Sequence, residues 1–167
     1  LVKANPKKEH ANADPFWDEA SVSLLSAEIA YTLMKHRKPT FTDVLDLHNS
    51  LEIEENGGGI STTLDSRFAA LGQAQPKCFA ATCWKSFRQL PIRTAGCVYG
   101  TLNTTLDTVF TPELQYMMRE RESIDFARLT RERTVLFVIT SAVNPVLNRL
   151  VQVFYAQTFK QLFEAAE

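Results

Sequence analysis

The chain has 167 residues, 45% of them hydrophobic and 22% charged, with a formal net charge of −1. That length bounds the answer to one domain, or one domain with part of a second, and the composition is ordinary for a chain with a buried core. Near-neutrality excludes a strong overall field toward nucleic acid or acidic lipid. The total hides an asymmetry, however: residues 1–70 carry 7 Lys/Arg against 11 Asp/Glu, and residues 71–167 carry 11 against 8. No acid stands between Asp65 and Asp107, whereas Arg67, Lys77, Lys85, Arg88 and Arg93 all do. Cys78, Cys83 and Cys97 show no paired spacing and read as reduced core thiols, which suits a cytoplasmic protein. No apolar run approaches the roughly 20 residues needed to span a bilayer.

Residues 1–13 are polar and aperiodic and read as an extended lead-in. Asp14 then caps a helix with Pro15 at its first position and Asp18 and Glu19 in its first turn, where carboxylates complement the helix dipole. Trp17, Ala20, Leu24, Ala27, Tyr31 and Met34 recur at steps of three and four, a buried stripe. The basic end Lys35-His36-Arg37-Lys38, followed by Pro39, closes the helix. Thr40 opens a shorter helix with Asp43 three residues on, near to a capping box, and it runs through Val44, Leu45 and Leu47. Residues 52–60 read as a flexible acidic loop, and a third helix is predicted over about 62–73.

Pro76 begins a fourth helix with Phe79, Ala80, Cys83 and Phe87 on one face and Lys77, Lys85 and Arg88 off it. After Pro91 comes a fifth, whose Ile92, Ala95, Val98, Leu102, Leu106 and Val109 follow a nearly sevenfold repeat suited to the inside of a bundle. Thr111-Pro112-Glu113 starts a short helix ending near Met118, and the charged run from Arg119 to Glu122 reads as a solvated face. From Thr134 the texture changes. Val135-Leu136-Phe137-Val138-Ile139-Thr140 is a continuous β-branched and aromatic run, the pattern of a strand buried on both faces of a parallel sheet. Asn144-Pro145 then starts a long helix with Leu147, Leu150, Val151, Phe154, Thr158 and Leu162 on its apolar side. Such a strand needs neighbours, and the chain offers no comparable parallel partner, so it is expected to pack on the bundle or to pair with residues 1–5. Residues 131–167 therefore read as one βα unit of an incomplete α/β domain, and the chain as a piece of a larger protein.

Several motifs fail on inspection. Gly57-Gly58-Gly59 has no Gly-Lys-Ser/Thr after it and no strand before it, so a phosphate loop is excluded. His10, His36 and His48 share no metal-ligand spacing, so no metal site is expected. Glu54 and Glu55 lie in a segment without apolar walls and read as solvated, and no catalytic residue is assigned. The acid-free window is more informative. Lys77, Lys85 and Arg88 share one broad helical face, Trp84 adjoins them, and Arg93 opens the next helix. Cations for phosphates beside a ring for stacking make these five the candidate nucleic-acid-binding residues. The competing reading puts Trp84 in the core and leaves the cations to solubilise the helix.

Asn12-Ala13-Asp14-Pro15-Phe16-Trp17-Asp18-Glu19-Ala20 resembles the Asp-Pro-Phe-Trp helix start of TraG-type coupling proteins of conjugative type IV secretion. Arg93-Thr94-Ala95-Gly96-Cys97-Val98 is similar to the Lys/Arg-Thr helix near the end of that family's all-helical domain. Thr134 to Thr140, with Asn148-Arg149-Leu150-Val151 and Phe154-Tyr155-Ala156-Gln157, resembles the return into the nucleotide-binding domain. The resemblance implies a mainly α fold: a lead-in over 1–13, an all-helical insertion domain over 14–130, and over 131–167 the strand and helix of a RecA-like α/β domain. It implies a hexameric, membrane-tethered ATPase, using ATP and Mg, that delivers single-stranded DNA and its relaxase to the secretion channel from the cytoplasmic face. Relaxase or accessory DNA-processing proteins are the partners so implied. The Walker A and Walker B motifs are absent from these 167 residues, so the chain itself is expected to bind no nucleotide cofactor and to turn over no ATP. A helical interaction scaffold with no nucleic-acid role is the alternative.

Overall fold

In a computed structural model the described residues are 15–57, 59–119, 126–139 and 147–165. The chain divides into two compact units that meet at residues 119 and 120. Among the described residues the first unit holds α1 (Pro15–Lys35), α2 (Phe41–Asn49), β1 (Ile53–Asn56), β2 (Gly59–Thr62), α3 (Asp65–Ala74), α4 (Phe79–Arg88), α5 (Ile92–Val109) and α6 (Pro112–Arg119). The second holds α7 (Phe126–Arg131) and α8 (Leu147–Glu164). The protein is mainly α, as its sequence predicts.

α1 is the central element of the first unit, packing against α2, α4 and α5. Being covered on several sides, it buries a wider arc than the predicted stripe: Leu24 and Ala27 are fully enclosed, but so are Ser21, Glu28 and Thr32. Buried polar groups need partners. Ser21 Oγ donates to the Val98 carbonyl at 3.5 Å, and Thr32 Oγ1 donates to the Glu28 carbonyl at 2.8 Å. Trp17 and Met34, at the two ends of the stripe, are exposed. α5 follows its repeat closely, with Ala95, Val98, Leu102, Leu106 and Val109 all buried. α2 begins with a complete capping box: Thr40 Oγ1 accepts from the Asp43 amide at 3.3 Å, and Asp43 Oδ2 accepts from the Thr40 amide at 2.7 Å. Phe41 of α2 stacks on Phe110, just past α5, with ring centroids 4.5 Å apart.

Three expectations are corrected here. Residues 53–62 are not a loop but an antiparallel hairpin, Ile53 opposite Thr62 and Asn56 opposite Gly59. Gly57 turns it with φ of +56°, a conformation in which a side chain is strained. The hairpin escaped the sequence reading because only Ile60 is buried, so no apolar alternation marks it. In α4 the inward face is Ala80, Trp84 and Phe87, while Phe79 is 63% exposed. Of the predicted face, Ala80 and Phe87 are buried as read, whereas Phe79 and Cys83 give way to Trp84, since both sets fit helical spacing. Finally, the thiols do not all lie in the core: Cys78 is buried, Cys83 is half-buried and Cys97 is exposed.

In the second unit α7, which the sequence pattern did not reveal, packs against α8. Leu150, Val151, Phe154 and Leu162 are the more covered side of α8, and Thr158 is buried with its hydroxyl donating to the Phe154 carbonyl at 2.8 Å. The run 134–140, expected as a doubly buried strand, forms no ladder over its described part, 134–139. Val135, Phe137 and Ile139 stand in water, Ile139 95% exposed. The reason is physical: backbone pairing requires a neighbouring strand, and none is present among the described residues. The suggested pairing with residues 1–5 lies outside the described residues, as do the Asp14 cap, Thr140 and the Asn144-Pro145 start.

Candidate nucleic-acid interface

Of the five sequence candidates, three are exposed, one is buried and one is paired with a carboxylate. Lys77 lies in the turn before α4, Lys85 on its outer face and Arg93 in the first turn of α5, all exposed. Trp84 is 4% exposed, and its ring lies flat against Phe68 of α3, with centroids 4.2 Å apart and planes 3° from parallel. A ring already stacked on both packing and burial has no face to offer a nucleotide base, so Trp84 is a core residue in this arrangement. Phe68 extends the cluster to Tyr31 of α1, 4.9 Å away, and the Phe87 ring lies 5.5 Å from that of Trp84, tilted by 46°.

Arg88 is engaged as well. Its Nε donates to Asp65 Oδ1 at 2.7 Å, in a pair whose side chains are about one-third exposed. The same carboxylate oxygen accepts from Trp84 Nε1 at 3.3 Å and from Thr62 Oγ1 at 2.9 Å, while Oδ2 accepts from the Thr62 amide at 2.9 Å. Asp65 thus joins the end of the hairpin, the start of α3 and the end of α4. It also neutralises the cation in the predicted face that was best placed beside the tryptophan.

Sequence reasoning missed two sites. The first is buried: His48 Nδ1 of α2 lies 3.0 and 3.1 Å from the two carboxylate oxygens of Glu28 in α1, and both side chains are enclosed. Tyr99 of α5 packs on the imidazole, its centroid 4.8 Å away. Burial raises the Glu28 carboxyl above the ordinary carboxylate range, and the contact with His48 opposes that shift. Tyr99 is raised too, first by its own burial and then by the nearby Glu28 and Asp107 charges. Buried His48 Nε2 has no hydrogen-bond partner among the described residues. Nothing in the sequence joins positions 28 and 48, which meet only because α1 and α2 pack.

The second is a cleft of about 410 Å³ between α1, α2 and α3, lined by Tyr31, Lys35, His36, Asp43, Asp46 and Arg67 among others. The signal for it was present in the basic run 35–38, which the sequence reading took only as a helix stop. Among the described residues no group of His, Cys, Asp and Glu could hold a metal ion, and no helix is long and apolar enough to cross a membrane.

Among the described residues a helical bundle with a small antiparallel hairpin, and separately the helices α7 and α8, define a mainly α protein. The chain belongs to the type IV secretory system conjugative DNA transfer family, whose profile matches residues 1–166. That agrees with the resemblance carried by the Asp-Pro-Phe-Trp start and the Arg93 helix. No curated protein and no solved structure matches the chain.

Proposed function

We propose that residues 15–119 form the substrate-recognising helical module of a conjugative coupling ATPase. In this reading the module docks the relaxase or an accessory DNA-processing protein, so that the nucleoprotein substrate is delivered to the type IV secretion channel. Residues 131–167 supply a strand and a helix to a RecA-like nucleotide-binding domain, and the complete protein works as a hexameric ring held at the membrane. The observation that carries the reading is the family match along residues 1–166. The exposed run Val135, Phe137 and Ile139 supports the second part, since an apolar segment of this length in water is suited to insertion between other strands.

ATP and Mg belong to that larger assembly. The residues present do not fit a nucleotide: the sequence has no Gly-Lys-Ser/Thr loop, and no metal-ligating cluster occurs among the described residues. No catalytic step is therefore assigned to this chain.

Immobilised chain exposed to the cognate relaxase should retain it, and the chain should show no ATP turnover above buffer. Failure to retain relaxase or its accessory proteins would leave a helical scaffold as the better reading. Turnover of ATP would overturn the assignment of residues 131–167.

A further inference from the structure

We infer that the C-terminal end of α1 carries a docking site for an acidic amphipathic helix of a protein partner, with an apolar pocket between α1 and α2 as the seat of its anchoring side chain. The inference rests on the docking reading above and deepens it by naming the chemistry of what docks.

The pocket has a volume of about 130 Å³ and is walled by Ile29 and Leu33 of α1, Pro39 of the connection, and Phe41 and Val44 of α2. Thr32 and Thr40 also line it, but both hydroxyl hydrogens are already used. Thr32 Oγ1 donates to the Glu28 carbonyl and Thr40 Oγ1 to Asp43 Oδ2, each at 2.8 Å. Stacking on Phe110 holds the Phe41 ring in place, so this wall stands before anything binds. A dry apolar space of about 150 Å³ takes a benzene-sized group, so this pocket takes one leucine or phenylalanine side chain. Apolar surface continues beyond it. Leu33 is 60% exposed and Met34 43%, and Met34 Sδ lies 3.5 Å from the Sγ of Cys78, which precedes the 63% exposed Phe79. Large apolar side chains left in water together mark a contact surface.

The charge around that surface has one sign. The stretches that build it, 29–42 and 75–79, contain Lys35, Arg37, Lys38 and Lys77 and no acid. Lys35 shares the neighbouring cleft with Arg67, Asp43 and Asp46, where the charges balance. Arg37, Lys38 and Lys77 are exposed and have no ion-pair partner among the described residues. Side chains three or four positions apart on a helix lie roughly 5–6 Å from one another. A helix that seats one apolar residue in the pocket therefore carries flanking carboxylates out to cations beyond its rim. Phosphates alone would leave the pocket empty, and so would a flat lipid surface.

The test is fluorescence anisotropy of a labelled synthetic helical peptide, with leucines at alternating steps of three and four and glutamates between them, titrated with the full chain. Binding should saturate, and a wild type that does not bind overturns the inference. Leu33→Glu and Arg37→Glu/Lys38→Glu change exposed side chains, and an unchanged unfolding midpoint verifies the fold. Each should weaken binding by at least about tenfold, whereas Lys85→Glu on α4 should leave it unchanged. Equal affinity in the pocket and rim variants would overturn the site. Equal binding of the same peptide with lysine for glutamate would overturn the charge assignment. Vesicles of phosphatidylcholine and phosphatidylserine that bind through Leu33, where the peptide does not, would replace the protein partner with a lipid surface. Relaxase retained undiminished under saturating peptide would sink the inference while the docking reading stands. Peptide binding lost in the variants, without retention of relaxase or accessory protein, would support the site and sink the relaxase reading.

Discussion

Residues 15–119 enclose most of their large apolar side chains, whereas the C-terminal residues leave many of theirs in water. Phe68, Leu24, Leu64 and Leu102 are each almost wholly covered, while Phe137, Ile139 and Phe163 are among the most exposed side chains described. Composition does not separate the two regions, since both are rich in Leu, Val and Phe. Partners do. α1 is flanked by α2, α4 and α5, so every apolar stripe in the bundle finds another. Residues 134–139 carry the stronger local signal for a regular element, yet have no strand to pair with among those described. A helix satisfies its own backbone and needs only a face covered; a strand depends on a neighbouring strand for its backbone hydrogen bonds.

The sharpest way to break this contrast is to open the aromatic core. Phe68→Ala removes the ring that contacts both Tyr31 and Trp84, and should cost about 3–5 kcal/mol in chemical denaturation. A loss below 1 kcal/mol would mean that the ring stack carries little of the bundle. The Glu28–His48 pair tests polar burial instead. A carboxyl raised in the folded state contributes stability that is present below its ordinary value near 4.5 and lost as pH rises through its folded value. Glu28→Gln should therefore gain on the wild type as pH climbs above 4.5, His48 and Tyr99 being the titratable groups that face it. An opposite slope in paired denaturation curves would show that attraction to His48 outweighs burial. Thr40→Ala removes the α2 cap and should cost about 1 kcal/mol. Smallest of all, Phe137→Ser should move the unfolding midpoint by less than about 0.5 kcal/mol, because nothing covers that ring. A larger loss would place it in a core.

Much of the fold was legible because helices announce themselves locally. Thr40 and Asp43 form the box their spacing suggested, and the α5 repeat is buried as read. The hairpin was hidden by its composition, with Glu54 and Glu55 exposed where apolar alternation would have marked a strand. The candidate site was less legible. Lys77, Lys85 and Arg93 could be placed on the surface from sequence, but the burial of Trp84 and the capture of Arg88 by Asp65 depend on tertiary packing. The same holds for the cleft, which joins Lys35 to Arg67 across 32 positions of chain.

The Asp65 carboxylate has a consequence for exchange with solvent. It accepts the amide hydrogen of Thr62 and the indole hydrogen of Trp84, two protons that belong to different elements. When the carboxylate swings away, both lose their acceptor at once. Deuterium should therefore enter the hairpin amide and the tryptophan ring through one shared opening, and a substitution that loosens Asp65 should quicken the two together.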